Sequence, residues 1–125
     1  MDDRRRRDEF LKATAAEARA QKIPPGELSA VLCTRGTLSL EYYAPRGADT
    51  QEPHEQDELY VVISGTGTFV AGDRRTRFGP HDVLFVAAGV PHRFESFTDD
   101  FECWVVFYGQ RGGEAAPALA APQNL

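Results

Sequence analysis

Basic charge, lysine, cysteine and long apolar runs are all scarce in this chain, and each shortage removes a class of function. Over 125 residues, 14 Lys and Arg stand against 19 Asp and Glu, for a formal net charge of −5 and a pI near 5.1. Nucleic acids and acidic membrane surfaces need a basic footprint. Neither is expected as a partner, and a small molecule is. The basic run Arg4 to Arg7 is flanked by Asp2, Asp3, Asp8 and Glu9, so it reads as the solvated start of a helix. No apolar h-region follows it, so neither a secretory nor a twin-arginine signal is expected. No stretch approaches the length of a membrane span. The expected location is the cytoplasm.

Lysine occurs only at Lys12 and Lys22, both in the N-terminal segment, which argues against a lysine base or Schiff-base mechanism inside a barrel. Cys33 and Cys103 lie in the apolar runs SAVLCT and FECWVVFY, with no C-x-x-C partner. They read as small buried hydrophobes rather than a disulfide or an activated thiol. There is no Gly-rich phosphate loop with its lysine, no G-x-S-x-G elbow and no H-E-x-x-H, and no repeat at solenoid or propeller period.

What is present is a succession of short strands. The length suits one domain, divided into an N-terminal helical segment (1–27), a β-barrel (28–109) and a flexible C-terminal tail (110–125) rich in Ala, Pro and Gly. A short helix is expected from about Asp8 to Ala20, with Phe10, Leu11, Thr14 and Ala18 roughly on one face and Pro24-Pro25-Gly26 ending it. From Leu28 to Tyr108 the runs LSAVLCT, TLSLEYYA, ELYVVIS, GTFVA, RTRF, VLFVA, HRFESF and FECWVVFYG read as strands of an all-β sandwich or barrel. Ser64-Gly65-Thr66-Gly67 and Ala71-Gly72-Asp73 have hairpin spacing, so Glu58 to Phe78 is expected to form consecutive antiparallel strands. Leu59, Val61 and Ile63 are apolar, as are Tyr60 and Val62 between them, and Trp104 to Phe107 behave likewise. Such strands need cover on both faces, from which a homodimer is expected.

Three polar residues stand out against this apolar pattern. His54 and Glu58 lie in E-P-H-E-Q-D-E-L-Y-V-V-I-S-G, and His92 lies in H-D-V-L-F-V-A-A-G-V-P-H-R-F-E-S. Alone, His54 reads as a solvated loop histidine and His92 as a turn cap. Together, each at the edge of an apolar strand, they suggest a metal cup at the mouth of a barrel. Residues two apart on a strand share a face, so Glu52 and His54 are candidates to point inward together, with Glu58 rejoining them after a bend at Gln56-Asp57. Glu58 is costly to bury unless paired or metal-bound. Tyr60 and Phe94, two residues beyond Glu58 and His92, are expected to line the pocket above the site. His81 reads as a turn residue, and Arg93 should point outward.

These two runs resemble the two motifs of the cupin superfamily, small double-stranded β-helix (jelly-roll) barrels. The first motif is written G-x5-H-x-H-x3-4-E-x6-G and the second G-x5-P-x-G-x2-H-x3-N. His54, Glu58 and Gly65 match the second half of the first, while Gly89 and His92 match the second, and the resemblance covers roughly Leu38 to Tyr108. Departures fall at Glu52 for the first histidine, His81 for the opening glycine of the second motif, Ala87 for proline and Ser96 for asparagine. Only Glu52 touches a ligand position. It leaves open a two-His, two-carboxylate site, or a two-His, one-carboxylate site completed by Gln51 or water.

Two imidazoles with one or two carboxylates suit one divalent transition metal ion, such as Fe, Mn, Ni, Co or Zn. Two functions follow as expectations. One is a metal-dependent dioxygenase or isomerase acting on a small molecule, as the resemblance implies. The other is a non-catalytic binding or sensing module whose metal is structural.

Overall fold

The computed structural model describes residues 9–23 and 29–115. The Arg4 to Arg7 run, the Pro24-Pro25-Gly26 stop and residues 116–125 of the tail lie outside them. Eight strands form where the sequence predicts them: β1 (Ser29–Arg35), β2 (Leu38–Tyr43), β3 (Asp57–Ser64), β4 (Gly67–Ala71), β5 (Arg74–Phe78), β6 (Val83–Val86), β7 (His92–Glu95) and β8 (Glu102–Tyr108). They build two antiparallel sheets, one ordered β1-β2-β8-β3-β6 and the other β5-β4-β7. This is the jelly-roll architecture expected.

Period-two alternation decides which side chains face the interior. On β3, Glu58, Tyr60 and Val62 are each 1 % exposed; on β8, Cys103 and Val105 are buried opposite them. Between the sheets the core is aromatic. The Phe94 ring on β7 lies 4.6 Å from Phe101 and 4.9 Å from both Phe69 and Tyr60. Burying one such ring contributes roughly 1.5–3 kcal/mol.

The expected run of consecutive antiparallel strands from Glu58 to Phe78 is corrected in one respect. β4 and β5 pair as a hairpin, but β3 pairs with β6 and β8 and never with β4. Gly65-Thr66-Gly67 is therefore no hairpin turn but the corner at which the chain crosses between sheets. A Cβ on Gly65, where φ is +89°, would sit 2.5 Å from the Phe101 Cα, and one on Gly67 would meet the Phe78 ring at 2.9 Å. Glycine is required there by close approach.

The N-terminal helix is shorter than its composition suggests. α1 spans Ala15–Ala20, because Thr14 caps it: its Oγ1 accepts from the Glu17 N–H at 3.1 Å and donates to the Glu17 carboxylate at 2.8 Å. Thr14 thus satisfies one of the free N–H groups of the first turn, and it starts the helix after Phe10 and Leu11, which are exposed. α1 lies on the outer face of the larger sheet, with Ala18 packed on Ala30 and Tyr42 and with Leu32, Ile63 and Trp104 around them. Arg19 holds it there through two bonds to Glu102, at 2.5 and 2.8 Å. Part of the outer cover that strand patterning assigned to a second subunit thus comes from the chain's own helix. Among the described residues, no helix is long and apolar enough to cross a membrane.

The segment after β8 is not loose where it is described. The Gly112 N–H donates to the Glu55 carbonyl at 2.7 Å, the Glu114 N–H to Asp57 Oδ2 at 2.8 Å, and Arg111 meets the Glu55 carboxylate at 2.5 Å. Residues 110–115, read from sequence as tail, strap the loop that leads into β3. Cys103 is buried and Cys33 half-buried on the outer face, both as free thiols.

Candidate metal centre

Glu58 opens the inward face of β3, His92 opens β7, and His54 belongs to the loop entering β3. That loop is fixed at both ends. Gly89 donates its N–H to the His54 carbonyl at 2.7 Å, and the buried Asp57 carboxylate accepts the Ala88 N–H at 2.9 Å. The His54 ring lies edge-on to Phe107 at 4.7 Å. His92 follows the turn at Val90-Pro91, and its Nδ1 lies 2.8 Å from the Val90 carbonyl. A carbonyl can only accept, so Nδ1 carries a proton and Nε2 faces the cup; a backbone partner of this kind orients a ligating histidine.

His92 Nε2 lies 2.8 Å from Glu58 Oε1, and His54 Nε2 lies 3.9 Å from the same oxygen. One ligand atom from each of the three residues falls within 4.8 Å of the others. Both Glu58 oxygens are buried without a hydrogen-bond partner among the described residues; the close His92 nitrogen is near in distance but not aligned as a donor. Buried carboxylate oxygens left this way are costly. A cation between the three groups resolves the cost, so the residues fit a divalent metal held by His54, Glu58 and His92. Such an ion would supply Lewis acidity to a bound molecule.

The electrostatics agree. Burial opposes the charged form of His92, but the Glu58 carboxylate beside it, aided by the Val90 carbonyl, outweighs that and raises its pKa. A protonated His92 would do part of the work of a metal. Tyr60 is pushed well above its ordinary value by burial and by the Glu58 charge, so its phenol keeps its proton.

Tyr60 stands beside the cup. Its hydroxyl donates to Gln51 Oε1 at 2.8 Å and lies 3.0 Å from His92 Nε2. Gln51 is held in turn by Asp49, which accepts its side-chain amide at 2.6 Å, its backbone N–H at 3.1 Å and the Phe94 N–H at 2.8 Å. Tyr43 also donates to Asp49. Nothing in the spacing of Asp49 marked it as part of the site, because its role depends on contacts across 45 residues of chain.

Glu52 does not join the group. It is exposed, and residues 51–56 form no strand, so the two-residue alternation that aligned it with His54 does not operate there. Gln51 turns inward in its place, its Oε1 accepting from the Tyr60 hydroxyl. Phe94 is likewise not a pocket wall: it is core, packed on Phe101, Phe69 and Phe78, whereas Tyr60 does line the cavity. His81 is an exposed turn residue with φ at +73°, and Arg93 points outward to Glu95.

Above the cup opens a cavity of about 550 Å³ bounded by Glu41, Tyr43, His54, Tyr60, Phe107 and Arg111 among others. Its size suits a small molecule.

A two-sheet jelly roll with a His-Glu-His cup defines a class, and comparison with known proteins confirms it. The family model described as the cupin domain matches residues 39–108, and the chain belongs to that family. It is similar to an uncharacterised protein of Streptomyces coelicolor, 41 % identical over 59 residues that cover 47 % of this chain and 56 % of the other. It is also similar to the dimethylsulfoniopropionate lyase DddQ of Ruegeria pomeroyi, 31 % identical over 72 residues that cover 57 % of this chain and 35 % of the lyase. The chain thus spans 56 % and 35 % of the length of these curated relatives. Among solved structures, an RmlC-like cupin family protein with a double-stranded β-helix fold from Methanocaldococcus jannaschii superposes with a TM-score of 0.55 at 15 % identity, over 69 % of this chain and 85 % of that one. That likeness speaks to the fold alone.

Proposed function

We propose that this protein is a metal-dependent enzyme that acts on a small polar molecule, with one divalent transition metal ion held by His54, Glu58 and His92 as its reaction centre. The observation that carries the reading is the pair of buried Glu58 oxygens without a hydrogen-bond donor among the described residues, set between two histidines at the base of an open cavity. A purely structural metal has no need of that opening.

Within the expected reactions, the geometry favours proton transfer over dioxygenation. Tyr60 keeps a proton at a hydroxyl 3.0 Å from His92 Nε2, and Gln51 fixes the direction of that hydroxyl. A positioned protic group beside the cup supports isomerisation or elimination, and a lyase among the relatives supports the latter. Two free cysteines fit a reducing, cytoplasmic setting. A homodimer would cover the outer face of the larger sheet beyond α1, where Val83 is 60 % exposed; sedimentation velocity showing only monomer at micromolar concentration rules it out.

The test is elemental analysis of protein purified without chelator. Near-stoichiometric metal in the wild type and its loss in both His54→Ala and His92→Ala are expected; retention by both variants refutes the site. An oxygen-electrode screen of the Fe(II)-loaded protein then separates the reaction classes, since oxygen uptake with any substrate returns the assignment to dioxygenase. Metal binding with ligand affinity but no turnover supports the alternative, a binding or sensing module.

A further inference from the structure

The cavity has a second polar pole. Glu41 on β2 pairs with Val105, whose other neighbour across β8 is Tyr60. It therefore faces inward, and it lines the same cavity as the cup. The two residues sit two strands apart, roughly 10 Å of sheet.

Glu41 is held, not neutralised. Ser29 Oγ donates to its Oε1 at 2.6 Å and Ser39 Oγ to its Oε2 at 2.8 Å. A carboxylate has about four acceptor sites, so two hydroxyls fix its direction and leave capacity toward the cavity. No ion pair within 4.0 Å reaches it among the described residues. The guanidinium that lines the cavity, Arg111, is committed at 2.5 Å to Glu55. The aromatic rings of Tyr43 and Phe107 border the same space, and ring faces attract cations.

A metal in the cup would offset the charge of Glu58 but not that of Glu41. The cavity then offers a Lewis acid at one end and a bare negative charge between aromatic walls at the other. We infer that Glu41 is a specificity residue that recognises a cationic group, so the site takes compact zwitterions: a carboxylate or other oxygen donor at the cup, and an ammonium or onium group at Glu41. This rests on the metal reading above and adds the substrate class to it.

The test uses two isosteric carboxylates that differ only in charge at the far end, 3-(trimethylammonio)propanoate and 4,4-dimethylpentanoate. Each is titrated calorimetrically into metal-loaded protein, with metal content measured on the same samples. The wild type is expected to prefer the cationic probe by about tenfold or more. Glu41→Gln should retain metal and bind both probes alike, and Glu41→Asp, which keeps the charge, should recover part of the preference. Equal affinities in the wild type, failure of both probes to bind metal-replete protein, or a preference that survives in Glu41→Gln overturns the inference. Wild type without stoichiometric metal refutes the metal reading instead.

Discussion

Replacing Glu58 by glutamine should make the metal-free protein more stable while removing its response to metal. Both Glu58 oxygens are buried and lack a hydrogen-bond donor among the described residues. The nearest group, His92 Nε2 at 2.8 Å, compensates only while it carries a second proton. Its raised pKa sets the sign: that stabilisation is complete below the ordinary imidazole range and is lost as pH rises through the folded value. Above that folded value the imidazole is neutral and no longer offsets the carboxylate. A glutamine amide has the same shape and no charge, and it can donate to the Nε2 lone pair. Removing an unsatisfied buried acceptor is worth about 1–3 kcal/mol, which for a domain of this size is a rise in Tm of roughly 3–12 °C. In chelator, Glu58→Gln should therefore melt above the wild type once the pH exceeds the His92 value read from its own titration. With free metal at 100 times Kd, the wild type gains about 2.7 kcal/mol; the variant, missing one ligand, gains much less, and the order of melting narrows or reverses. Differential scanning calorimetry in chelator and in excess Mn(II) or Ni(II) reads both effects. A variant less stable than wild type in chelator, or equally stabilised by metal, refutes the claim that Glu58 is kept buried for a cation.

The Arg19–Glu102 contact predicts an acid-sensitive helix. Arg19 holds the Glu102 carboxyl down to about 2, against the opposing effect of burial and with help from the Tyr42 and Ser64 hydroxyls. Stability from this group is present above about pH 4.5 and is lost as pH falls toward 2. The shift corresponds to at most about 3 kcal/mol, nearer 1–2 because Arg19 is half-exposed. Urea titrations of Glu102→Gln should lack that share of the acid dependence. Gly65→Ala puts a Cβ 2.5 Å from Phe101 Cα at a φ of +89° and should cost about 2–5 kcal/mol in urea unfolding; a loss below 1 kcal/mol contradicts the close-packed corner. Asp57→Ala leaves the Ala88 and Glu114 N–H groups without their acceptor and should cost about 1–3 kcal/mol. Hydrogen exchange at 88–89 and 112–114 should rise in that variant before the core strands respond.

The strands were legible because their signal is local. Eight short runs bounded by turn residues appear as eight strands among the described residues, and the two-residue period of E-L-Y-V-V carries Glu58, Tyr60 and Val62 to one face whatever surrounds them. The helix was overextended because composition averages over a window, whereas Thr14 acts at a single position. The contacts of residues 110–115 had no local signal, because Arg111, Gly112 and Glu114 bond to Glu55 and Asp57, more than 50 residues earlier.

By itself the sequence determined an acidic single barrel with His54, Glu58 and His92 at its strand edges, since residue type and strand period suffice for that. Only the tertiary structure decided that Glu52 turns outward while Gln51 turns in, that Phe94 belongs to the core, and that Glu41 shares the cavity. Those outcomes depend on which strands pair across the sheets and on an irregular loop without periodicity. Neither is encoded in the spacing of residues along the chain.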